Sequence, residues 1–166
     1  MKGLKTYIFT GIIFVSILGT FLHFAYNFSG NNFLVGLFTP INESVWEHTK
    51  LIFFPMLLYG MLFNKKQKDS YPDIYNATIL GAITGVMVTI VAFYTYSGII
   101  GYNIAFVDIS IFYISVILAF FATYKATLSC KIGKYDILLT FLCVLMIVLY
   151  ILFTLCPPTI PLFVSP

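Results

Sequence analysis

Six side chains suited to proton transfer or metal ligation lie inside the apolar runs of this 166-residue sequence: His23, Glu43, Glu47, His48, Lys50 and Asp108. Four of them crowd into residues 40–50, beside the only tryptophan, Trp46. Two imidazoles with one or two carboxylates make a nitrogen and oxygen donor set that suits zinc or a similar divalent ion. His23, His48 and Asp108 are the expected metal ligands. A catalytic zinc keeps three protein ligands and an open position for water, so Glu43 and Glu47 are the candidate general bases. Tyr26, Asn42, Trp46 and Lys50 surround them as candidates for holding a substrate. The chain has no His-Glu-x-x-His run and no paired-cysteine motif, so residue types rather than a motif carry this assignment.

Positioning these groups falls to helices. Asn42 is a good N-cap, and the spacing predicts a helix that starts there and runs into the apolar residues 51–59. At 100° per residue, Glu43, Glu47 and Lys50 share one stripe, and Ser44 and His48 share another. Both acids then sit where the helix dipole favours negative charge. In the preceding apolar run Ser16, Gly19, Thr20, His23 and Asn27 fall on one side at helical spacing, a side expected to face protein rather than lipid.

Composition bounds the fold. Hydrophobic residues make up 60% of the chain and charged ones 9%, with a mean hydropathy of +0.98. These values predict an all-α, polytopic membrane helix bundle in a single domain over residues 1–166. Five spans are expected, at about 6–28, 42–63, 77–98, 104–124 and 136–156. The charge-free connector 29–41 is expected to dip back as a re-entrant turn covered by protein. Pro55 is expected to kink the second span. The spacing Gly81-x-x-x-Gly85 points to close helix packing in the third, and the far end of that span carries the hydroxyls of Tyr94, Thr95, Tyr96 and Ser97.

Five spans place Lys2, Lys5, Lys65, Lys66, Lys68, Lys125, Lys131 and Lys134 on one side, which the positive-inside rule makes cytoplasmic. Lys50 is the exception. The N-terminus is then inside, the C-terminus outside, and the polar cluster in the outer leaflet. A net charge of +3, no arginine and scattered lysines exclude nucleic acid as a partner. Membrane lipid is the expected partner. Cys130, Cys143 and Cys156 are read as free thiols, since residues 143 and 156 of one helix lie about 20 Å apart.

Ionisable groups gathered at one depth of a membrane point to function. The preferred reading is a metal-assisted hydrolase or transferase acting on a lipid or other membrane-borne substrate. A proton- or ion-coupled transporter is the alternative, and five spans would then need homo-oligomerisation to complete a path. A structural or accessory protein is the third reading, in which Glu47 and Lys50 pair with each other and His23 bonds Asp108.

The segments His23-x-x-Tyr26, Ser29-Gly30-Asn31-Asn32 and Asn42-Glu43-Ser44-x-Trp46-Glu47-His48-x-Lys50, with the tail Pro157-Pro158-x-x-Pro161-Leu162-Phe163, resemble a family of small multi-spanning bacterial membrane proteins of unknown function. The resemblance implies a helical protein of the bacterial cytoplasmic membrane. It carries no activity, cofactor or partner with it.

Overall fold

The computed structural model describes residues 2–63, 69–129 and 131–165. Lys65, Lys66, Gln67, Lys68 and Cys130 lie outside the described residues. Among the described residues six α-helices follow in order: α1 (Lys2–Phe28), α2 (Phe33–Gly36), α3 (Val45–Phe63), α4 (Ile74–Ile100), α5 (Ala105–Ser129) and α6 (Asp136–Leu155). Short 3-10 turns occupy Ile132–Tyr135 and Pro161–Phe163. No strand occurs among the described residues, and the chain is an all-helical bundle of membrane type.

Among the described residues four helices are long and apolar enough to cross a membrane: α1, α4, α5 and the segment Ile132–Leu155. The fifth expected span, α3, is not among them, because Glu47, His48 and Lys50 occupy its first turns. Its place in the fold accounts for this. Thirteen of its 19 residues are buried, and it packs between α1 and α4 with further contacts to α5, α6 and the tail turn. Protein rather than lipid surrounds the polar turns, which is the setting such residues require. At ~1.5 Å per residue α3 still spans roughly 28 Å, close to the thickness of a bilayer core.

Three glycines on two helices set the helix spacing. On α4, a Cβ on Gly81 would lie 2.6 Å from the Ala119 carbonyl, and one on Gly85 would lie 2.8 Å from Ile52 and 3.0 Å from Ala119. The small-residue spacing therefore seats α4 against both α5 and α3. On α1, a Cβ on Gly19 would come within 2.7 Å of the Leu51 carbonyl oxygen. Pro55 lies four residues after Leu51 and has no N–H to give that carbonyl, so the oxygen is free to meet the Cα–H face of Gly19. The helix continues through Pro55.

The connector after α1 is short and tightly bonded. Gly30 and Asn31 turn the chain at φ 69° and 60°, and the Asn32 side chain caps the single turn of α2 by accepting from Leu34 N at 2.9 Å and Val35 N at 3.4 Å. Phe33 and Leu34 face outward, while Gly36, Thr39 and Pro40 are buried against the bundle. Its inner edge is thus covered by protein, as backbone at membrane depth must be.

Gly19→Val should lower the unfolding free energy in detergent by about 1–3 kcal/mol, the usual cost of overpacking. Gly98→Ala, where a Cβ meets nothing within 4 Å, should be neutral or stabilising by up to ~1 kcal/mol. Equal behaviour of the two variants would remove the α1–α3 contact from the list of spacing determinants.

Candidate metal centre

The Gly19–Leu51 contact decides which side chains meet. The two helices run antiparallel, so His23, one turn beyond Gly19, comes level with His48, one turn before Leu51. The imidazole centroids are 5.1 Å apart. Glu43 joins them from the residues just before α3, and one ligand atom from each of His23, Glu43 and His48 lies within 4.8 Å of the others.

The helix start itself is shifted from the sequence expectation. Ser44, not Asn42, caps α3: its Oγ accepts from Glu47 N at 3.4 Å, and its carbonyl accepts the first helical bond, from His48 N, at 3.2 Å. Asn42 Oδ1 instead accepts from Ser44 N at 2.9 Å, which bends the chain so that Glu43 projects outward. Ser-x-x-Glu is a capping signature legible in the sequence.

The same Ser44 carbonyl lies 2.9 Å from His48 Nδ1. A carbonyl can only accept, so Nδ1 carries a proton, and in the neutral ring Nε2 presents its lone pair. That lone pair is 3.3 Å from Glu43 Oε2. Two acceptors at this distance require a proton or a metal ion between them. Donors on a tetrahedral zinc with bonds of ~2.0–2.1 Å stand about 3.3 Å apart, so this edge already has the spacing of a coordination site. A backbone carbonyl behind a ligating imidazole is the usual outer-shell support. The Glu43 side chain is 72% exposed and that of His48 28%, which leaves the group open on one side.

Asp108, expected as a third ligand, is not in this group. Its carboxylate accepts from the Tyr96 hydroxyl, which in turn accepts from Ile104 N at 3.1 Å, and the three together close the α4–α5 link. Asp108 is engaged there by Tyr96 rather than by the histidines.

Glu47 and Lys50 also go elsewhere. Both side chains are buried, and Lys50 Nζ lies 2.7 Å from Glu47 Oε2. The ammonium also reaches Thr154 Oγ1 at 2.6 Å and the carbonyls of Gly36 and Thr39 at 3.0 and 3.4 Å. Glu47 Oε2 accepts from Ile41 N at 3.1 Å, and Oε1 from Thr154 at 3.0 Å. With every oxygen engaged and no exposure, Glu47 has the geometry of a structural anion rather than a general base, and Lys50 offers a substrate nothing. Of the other residues expected to hold a substrate, Trp46 is buried against Tyr150, Phe153 and Phe163. Its indole N–H has no partner among the described residues. Tyr26 packs on Gly36, and Asn42 is engaged in its turn.

The sequence reading missed Tyr150 and Thr154. Thr49 Oγ1 and the Tyr150 hydroxyl are 2.7 Å apart, and Thr154 bridges Lys50 and Glu47. Their signal was available: two hydrogen-bonding side chains four residues apart in the most apolar helix mark an inward face.

Lys50→Met leaves the Glu47 carboxylate buried without its cation and should destabilise the protein by about 3–5 kcal/mol. Adding Glu47→Gln removes that charge, keeps an acceptor for Ile41 N–H, and should restore much of the loss. Unfolding of the parent, single and double variants in detergent measures both steps, and additive losses would deny the pair.

No curated protein and no solved structure matches this chain. A family model does match, over residues 1–166. This helical, multi-pass membrane protein therefore belongs, over residues 1–166, to the family of unknown function DUF6512.

Proposed function

We propose that His23, Glu43 and His48 bind a divalent ion, zinc by preference, and that the bound ion serves hydrolysis or group transfer on a membrane-borne substrate. The observation that carries this is the His48–Glu43 edge: a lone pair fixed by the Ser44 carbonyl and a carboxylate oxygen, 3.3 Å apart, with a second imidazole beside them. Three protein ligands of this type leave one position for water, whose pKa the ion lowers to about 7. A bound ion would supply hydroxide at neutral pH and polarise the oxygen that gathers charge, so that the bond from oxygen to an ester or phosphoryl centre forms as the bond to the leaving group breaks and the leaving group takes a proton from solvent. His23, Glu43 and His48 would hold the ion, and no separate base would be needed, which fits a chain whose Glu47 is committed to Lys50. In this reading the site faces the outside and the N-terminus the inside, an orientation that the positive-inside rule supports from the lysine distribution.

Protein purified without chelators should hold near-stoichiometric zinc, lost in the His23→Ala/His48→Ala double variant. Glu43→Gln should weaken binding by more than the roughly 10–100-fold typical of losing an outer-shell partner. Ligating imidazoles must be neutral, so protons compete with the ion: occupancy should be full at neutral pH and fall on acidification. A sample that neither carries nor takes up zinc ends this reading.

Sidedness is tested separately. In a cysteine-free background, Asn31→Cys should react with an impermeant thiol reagent on intact cells and Asp69→Cys only after permeabilisation. Labelling of both from one side would overturn the orientation.

A further inference from the structure

We propose that a second feature at the same end of the bundle, a cleft of about 590 Å³, binds the uncharged head of a neutral glycerolipid of the diacylglycerol type. The cleft lies between the last turns of α4, the link to α5, and the C-terminal tail, and Val45 at the start of α3 forms part of its wall. Val45 directly follows Ser44, whose carbonyl orients His48, so one helical turn separates the cleft from the metal group.

Its lining fits an uncharged amphiphile. Tyr94, Tyr102 and Asn103 line it, and their side-chain polar groups make no hydrogen bond to the other described residues. Ser97 donates to the Phe93 carbonyl at 2.7 Å and keeps its oxygen as an acceptor. These groups match one free hydroxyl and two ester carbonyls. No Asp, Glu, Lys, Arg or His is among the described residues that line the cleft. The nearest lysine in α3, Lys50, is buried with all its hydrogens engaged, so a headgroup phosphate would find no cation there. Ile99, which follows the lining residue Gly98 on α4, and Phe106 at the start of α5 are 81% and 79% exposed, apolar side chains of the kind that acyl chains pack on in a bilayer. The volume is within the range of small-molecule sites.

Binding in the cleft stands independently of the metal. That the bound lipid is the substrate rests on the metal-centre reading, and the test separates the two. Gly98 lines the cleft on α4, and a Cβ there meets nothing within 4 Å, so a large side chain can fill the space without straining the helix. Full-length protein in nanodiscs, with a chelator present, is titrated with a photoreactive dioleoylglycerol and separately with photoreactive phosphatidylglycerol. Dioleoylglycerol labelling should saturate, and phosphatidylglycerol should bind at least about tenfold more weakly. Gly98→Trp should reduce dioleoylglycerol labelling by about tenfold or more, while the His23→Ala/His48→Ala variant labels like the parent. Gly98→Leu and Tyr102→Phe/Asn103→Ala, which alter volume and donors more gently, should give intermediate losses if the tryptophan variant fails to fold. Equal labelling by the two lipids, or undiminished labelling in the Gly98 variants, overturns the proposal. Loss of labelling in the histidine variant alone would move the lipid to the metal group and likewise overturn it.

Discussion

An ammonium group buried among protein atoms is the constraint on which the rest of this fold turns. Lys50 is fully buried, and a lone charge there would be untenable. Its acceptors come from three separate parts of the chain: the connector carbonyls of Gly36 and Thr39, Glu47 on its own helix, and Thr154 on α6. Meeting the needs of one cation therefore draws the connector, α3 and α6 into a single arrangement. Glu47 extends it to Ile41 N, two residues before Glu43. The backbone that presents the exposed carboxylate is thus tied to a fully buried charge.

The metal group depends on a different kind of contact, one without charge. Gly19 lets α1 approach the carbonyl that Pro55 leaves without a donor, and this approach brings His23 level with His48. A side chain on α1 or an N–H at position 55 would each alter that spacing. The imidazoles are therefore placed by backbone packing, whereas Glu43 is placed by the turn built on Asn42 and Ser44.

Much of this was legible in the residues, for identifiable reasons. Helical membrane architecture follows from apolar run length, which depends on composition alone. That His23 meets His48 was accessible because both lie at one end of neighbouring apolar runs, and antiparallel helices bring such ends together. Which carboxylate joins them was not accessible. Glu43, Glu47 and Asp108 lie at similar depth, and what separates them is partnership: Glu47 is engaged by Lys50 and Asp108 by Tyr96, while Glu43 faces outward. Helical phase put Glu43 and Glu47 on one stripe only if the helix began at Asn42. A start three residues later, set by the Ser44 cap, releases Glu43 from the helix. Tyr150 and Thr154 are far away in sequence, and no local pattern ties them to Lys50.

The polarity of α3 also bears on how the chain enters a bilayer. Lysine and acidic residues near the centre of a span each oppose insertion by roughly 2.5–3.5 kcal/mol, and α3 carries both kinds within its first two turns. Alone it is a poor candidate for lateral release into lipid. The neighbours that shield it, α1 before it and α4 after it, are among the four strongly apolar helices. Since α4 is made later, α3 must remain at the insertion machinery, or against α1, until α4 emerges. Biogenesis and tertiary folding are then one event for this helix, and a nascent chain cut between α3 and α4 lacks the wall that makes its central helix a membrane segment.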